Sequence, residues 1–138
     1  MNKKLLIGFV LVYVVFTGLD MVVNTVLLAP GYESVSHLFR PNDEVPMWVI
    51  FVAYLSLAFF FTLIFSKGYE GKGIMEGVRY GFYVGMMAML PFNYVSYAVM
   101  PIPYSLAFQG FLYGTVELVI CGIVLALVFG KKEPGPAA

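Results

Sequence analysis

Four apolar stretches share almost the whole chain, at residues 5–28, 47–65, 77–99 and 105–129. Each reaches or approaches the roughly 20 residues that a helix needs to cross a hydrocarbon core of about 30 Å. Between them stand "YESVSHLFRPNDEVP", "SKGYEGKGIME" and "MPIPY", whose prolines, glycines and charges interrupt an apolar helix. Only 12% of residues are charged, about half the usual share in soluble domains, so little polar surface remains to face water. The expectation is one all-α integral membrane domain over residues 1–138, a bundle of four transmembrane helices. The opening "MNKKLLIGFVLVYVVF" has the cations and apolar run of a signal peptide, but the run continues to Leu28 without a small-residue cleavage site. It is read as a retained first span.

Cations set the expected orientation. Lys3, Lys4, Lys67, Lys72, Arg79, Lys131 and Lys132 fall at one side of the spans and Arg40 at the other, which places both termini in the cytoplasm by the positive-inside rule. In the first outer loop, Tyr32, Val35, Leu38 and Phe39 recur at helical spacing opposite Glu33, Ser36 and Arg40, predicting a short amphipathic segment that stops at Pro41. His37 stands there without a second His or Cys nearby, so it is read as solvated and no metal site is expected. The single cysteine, Cys121, cannot form an internal disulfide. Zero formal net charge without a basic tract leaves nucleic acid unsupported as a partner.

Two rows of small residues predict close helix packing: Gly77, Gly81 and Gly85 on the third span, and Gly110 and Gly114 on the fourth. Glycine every fourth residue lets another backbone approach where lipid offers no hydrophobic drive. Glu76 and Arg79, about one turn apart, are read as a surface ion pair.

Polar residues inside the spans are the candidate site. At 1.5 Å per residue, Asp20 falls about 22 Å above the inner boundary, and Asn93 and Gln109 about 24 Å. With Asn24 one turn beyond Asp20, these four residues predict a polar cluster in the outer half. Tyr13, Thr17, Asp20 and Asn24 form a single stripe that must face protein. Glu117 comes about 10 Å deeper than Asp20 by the same count, too far for a direct pair, with Tyr13 at its own level as the expected hydrogen-bond partner and Gly85 leaving room beside it. An intramembrane acid costs about 2.5–3.5 kcal/mol on insertion scales, which makes it a functional candidate by default.

The segments "VLLAPGYE" after the first span, "EGVRYGFYVG" opening the third and "GIVLALVFGKK" closing the fourth are similar to those of small, uncharacterised four-helix proteins of the bacterial inner membrane. The resemblance implies a fold and a bacterial inner-membrane location, and supplies no catalytic residues. The foremost functional expectation is a non-catalytic membrane protein acting as a homo-oligomer or as an accessory subunit of a larger membrane complex. The alternative has the polar residues lining an outer cavity that binds a lipid, a quinone or another small molecule, or passes protons or a solute. An enzyme is the weakest reading, since no HExxH, GxSxG, cysteine pair or intramembrane His supplies a nucleophile or metal site. No cofactor is expected.

Overall fold

In the computed structural model, residues 3–130 are described, and all regular structure among them is helical. Helix α1 spans Lys3–Val22 and continues through a π-helical turn, Val23–Leu27, into the short helix α2, Ala29–Ser34. Helices α3 (Met47–Gly68), α4 (Ile74–Val99) and α5 (Tyr104–Phe129) complete the bundle. Pro46 and Pro103 stand immediately before α3 and α5, where a residue without an N–H costs a helix nothing. Gly73 precedes α4 at φ 96°, a left-handed conformation that suits glycine.

Three stretches, Lys3–Leu27, Met47–Gly68 and Tyr104–Phe129, are long and apolar enough to cross a membrane. Helix α4 has the length but carries Glu76, Arg79, Asn93, Ser96 and several glycines and tyrosines, which lower its hydropathy. It nevertheless runs unbroken through Pro91.

The long helices form an open ring in the order α3, α1, α5, α4, with little contact between α3 and α4. At the base, the first turn of α1 meets the end of α5: Lys4 Nζ donates to the Phe129 carbonyl at 3.2 Å, and the Tyr69 hydroxyl donates to the Gly130 carbonyl. Cation and hydroxyl together satisfy C-terminal carbonyls left without helical donors. Lys131 and Lys132, assigned to the same end by sequence, lie outside the described residues. The core above this cap is built by Val12 and Phe16 of α1, Ala58 and Phe61 of α3, and Leu118 and Cys121 of α5.

The tightest packing lies along α4 and α5. A Cβ on Gly77 would collide with the Gly122 carbonyl oxygen, and one on Gly81 with the backbone of Leu118 and Val119. Further along, a Cβ on Gly85 would come 2.7 Å from Thr115 Cγ2, one on Gly114 would lie 2.7 Å from Met89 Sδ, and Gly110 lies under the Asn93 amide. Both glycine rows therefore lie in the α4–α5 seam of one chain, each against other residues of the facing helix. Gly85 makes room for Thr115, not for Glu117 as expected from depth.

Two local expectations are corrected. The segment after α1 is not one surface helix: α2 ends at Ser34, a 3₁₀ turn covers Ser36–Leu38, and Leu28 and Val35 are buried with Leu106 of α5. This seat is possible because Gly31 rides over Leu106, where a Cβ would come 2.9 Å from the leucine Cδ1. Glu76 does not pair with Arg79; its carboxylate accepts the backbone N–H groups of Glu70 at 2.6 Å and Lys72 at 2.9 Å. Two charge-assisted bonds to otherwise open loop amides outweigh an exposed ion pair.

Candidate functional site: a cavity toward the crown

At the end of the bundle away from Lys4 and Phe129, the crown, the ring is open. Near the base α3 and α4 are joined: the Tyr80 hydroxyl donates to the Phe61 carbonyl at 2.6 Å, and its ring lies 4.7 Å from that of Phe61 and 5.2 Å from that of Phe65. Above this bridge a cavity of about 540 Å³ lies between the helices. Ala53 and Tyr54 of α3 and Ala88 and Phe92 of α4 line it, and both alanines are exposed at the bundle surface, as is Phe92 at 69%. The mouth is therefore lateral, between α3 and α4, while α2 roofs the cavity with Tyr32.

Asp20, Asn24, Asn93 and Glu117 all reach this wall. The Asn24 amide donates to the Asp20 carboxylate Oδ2 at 2.9 Å and to the Asp20 carbonyl at 2.8 Å. It does so where the backbone ladder widens, Leu28 N–H reaching the Val23 carbonyl at 2.8 Å, and such π turns recur at functional sites. The Tyr32 hydroxyl donates to Asn24 Oδ1 at 3.0 Å, and the Tyr54 hydroxyl donates to Asp20 Oδ2. Both side-chain donors to Asp20 thus use one oxygen; Oδ1 takes neither. In the roof, burial and the facing acids Asp20 and Glu117 raise the pKa of Tyr32, which keeps it a neutral donor.

Glu117 is 3% exposed, and neither of its carboxyl oxygens has a hydrogen-bond partner. The expected bond to Tyr13 is absent. Tyr13 packs beside the core cluster instead, because the buried face of α1 is centred on Val12 and Phe16. Asp20 is the side chain that acts on Glu117, by its charge and through a contact longer than a normal hydrogen bond, so the separation of the two acids expected from depth is also corrected. Helix register explains why. Gly8 lies against Leu125; eight residues toward the crown from each bring Phe16 level with Glu117, one turn or about 6 Å below Asp20. Side chains lean toward their own helix N-terminus. In this antiparallel pair Asp20 leans toward the base and Glu117 toward the crown, which closes that offset.

Gln109 is the polar residue that the structure does not bring to the cavity. Its depth suits the cluster, but the inward line of α5 runs through Gly110, Gly114 and Glu117, and one residue of offset turns Gln109 away by about 100°. Asn93 reaches the wall yet spends its amide on the Met89 carbonyl at 2.8 Å. Sequence reasoning missed Tyr54 and Tyr32. Tyr54 carried a signal: a hydroxyl inside an apolar helix whose one charge, Lys67, lies in its last turn needs a buried partner.

Among the described residues no group of three or more His, Cys, Asp or Glu side chains could hold a metal ion. Compared with protein-family models, curated proteins and solved structures, the chain matches none of them.

Proposed function

We propose that this chain is a four-span, non-catalytic protein of a bacterial inner membrane that binds a small molecule in the crown cavity, with both termini and the base in the cytoplasm. Helix α4 acts as the fourth span: its glycine face is consumed by α5, and the face it leaves exposed carries Phe82, Tyr83, Met87, Phe92, Val95 and Val99. Cations at the base and the single Arg40 near the crown support the orientation.

The observation that carries the binding reading is Glu117, a carboxyl buried without a hydrogen bond of normal length on the wall of a roomy, mostly apolar cavity. Leaving a buried polar group unpaired costs about 1–3 kcal/mol, and a chain selected for stability alone would replace it with an apolar side chain of similar size. A volume of about 540 Å³ lies within the roughly 300–1,000 Å³ range of small-molecule sites. The oligomer or accessory-subunit reading draws nothing from the glycine rows, which are filled from within the chain as their spacing led one to expect.

Native mass spectrometry after mild extraction tests the reading. The expected result is one small molecule retained per chain and lost from Ala88→Trp, which stops the mouth. A wild-type protein that carries nothing, in any detergent that preserves the fold, would overturn it. Cysteines replacing His37 and Lys72 in a Cys121→Ser background test the orientation: an impermeant thiol reagent should label the first from outside intact cells and not the second.

A further inference from the structure

The cavity wall is chemically one-sided. Among the described residues two carboxyl groups reach it, and no Lys, Arg or His lines it. Arg40, the only Lys or Arg on the crown side among the described residues, belongs to a separate groove beyond Tyr32. An anion would meet two acids with nothing to offset them, while a neutral apolar molecule would leave Glu117 as it stands, buried and unpartnered. A cation answers both acids at once, giving Glu117 and the Oδ1 of Asp20 a counter-charge that neither an anion nor a neutral guest supplies. The rest of the wall fits such a guest: the rings of Phe16, Tyr32, Tyr54 and Phe92 line the cavity, and aromatic faces attract organic cations. Access is also defined. The mouth opens through the flank between α3 and α4, past exposed Ala53, Ala88 and Phe92, and α2 closes the crown end. A guest using this route comes from the lipid, so it must itself be lipophilic.

Building on the binding reading above, we infer that the ligand is a lipophilic organic cation, one positive charge on an apolar or aromatic body, which enters sideways from the outer leaflet and sets its charge between Asp20 and Glu117. The acids act as a charge clamp and the rings as a size-tolerant wall. Tyr54 and Asn24 hold Asp20 by a single oxygen, which leaves the other free of both donors.

Full-length protein in lipid nanodiscs, set against empty nanodiscs by equilibrium dialysis, tests this with ions of one shape and opposite charge, tetraphenylphosphonium and tetraphenylborate. The phosphonium should bind at one per chain with at least tenfold preference over the borate. Asp20→Asn and Glu117→Gln, both close in shape, should each weaken phosphonium binding tenfold or more, and Ala88→Trp should slow it. Equal binding of the two ions, or wild-type phosphonium affinity in both carboxyl variants, would overturn the inference. If the phosphonium fails to bind while a neutral or anionic molecule co-purifies and is lost from Ala88→Trp, the cation is wrong and the cavity remains a binding site. If nothing binds or co-purifies, both fall.

Discussion

Helix α4 meets one neighbour along its whole length and leaves the other. Toward α5 its glycines bring backbone onto backbone at Gly77 and Gly81, and further along let Thr115, Met89 and Asn93 fill the seam; toward α3 it touches near the base through Tyr80 and then parts to leave the cavity. Without a hydrophobic drive between membrane helices, close van der Waals packing and interhelical hydrogen bonds must supply association. The α4–α5 seam uses the first. The crown between α1 and α3 uses the second, through Tyr54 and Asp20, and where neither operates the helices stand apart. The contrast divides the molecule into a closely packed pair and an open flank.

The largest effect should come from the seam. Gly81→Leu places a side chain against the backbone of Leu118 and Val119, which cannot give way as a side chain can. Overpacking costs about 1–3 kcal/mol in cores that can yield, and here the expected loss is at or beyond the top of that range. The variant should fail to purify as a folded protein or melt far below wild type in detergent. Ala88→Leu on the open flank is the matched control and should change stability by no more than about 0.5 kcal/mol. Equal losses from the two substitutions would erase the distinction between seam and flank.

How much of this was legible follows from the kind of signal each feature leaves. Apolar length and Pro/Gly punctuation are local, so the helix boundaries were readable: the sequence stretch 77–99 lies within Ile74–Val99, and 105–129 within Tyr104–Phe129. The glycine rows were readable because a four-residue spacing fixes a face without reference to any other helix. Depth, however, gives one coordinate of three. It placed Gln109 with Asn93 while ignoring that Gln109 turns away from the Gly110 and Gly114 line, and it separated Asp20 from Glu117 while ignoring the opposite lean of side chains on antiparallel helices. The pairing of Asp20 with Tyr54 depends on α1 and α3 being neighbours in the ring, which no periodicity within either helix encodes.

An intermediate effect is expected at the hydrogen bond across α1 and α3. Tyr54→Phe removes the only donor that α3 gives to Asp20 and leaves Asn24 on the same helix as its partner. Interhelical side-chain bonds in membranes contribute about 0.6 kcal/mol on average and up to about 1.7, so unfolding in a graded detergent mixture should show a loss in that interval. The double variant Tyr54→Phe with Asp20→Asn should lose less than the sum of the two single changes, because the pair is one interaction. Strict additivity would mean that the tyrosine and the aspartate act separately.

The smallest effect sharpens the comparison by adding a third surface. Gly18 is exposed on α1, two residues before Asp20, and a Cβ there would meet nothing within 4 Å. If the chain works alone, Gly18→Ala should leave stability unchanged or raise it by up to about 1 kcal/mol, since alanine suits a helix better than glycine. Gly18→Leu should be tolerated for the same reason, its side chain lying in lipid. If instead a second membrane subunit packs on α1, Gly18 is the notch that admits its backbone, and the leucine should shift the native mass in mild detergent while the melting of the isolated chain stays put. The three glycines, Gly81 filled from within, Gly18 open, and Gly114 facing the movable Met89, then form a graded series. Stability loss should follow how rigid the facing atoms are, and a change in mass at Gly18 alone would assign that face of α1 to a partner.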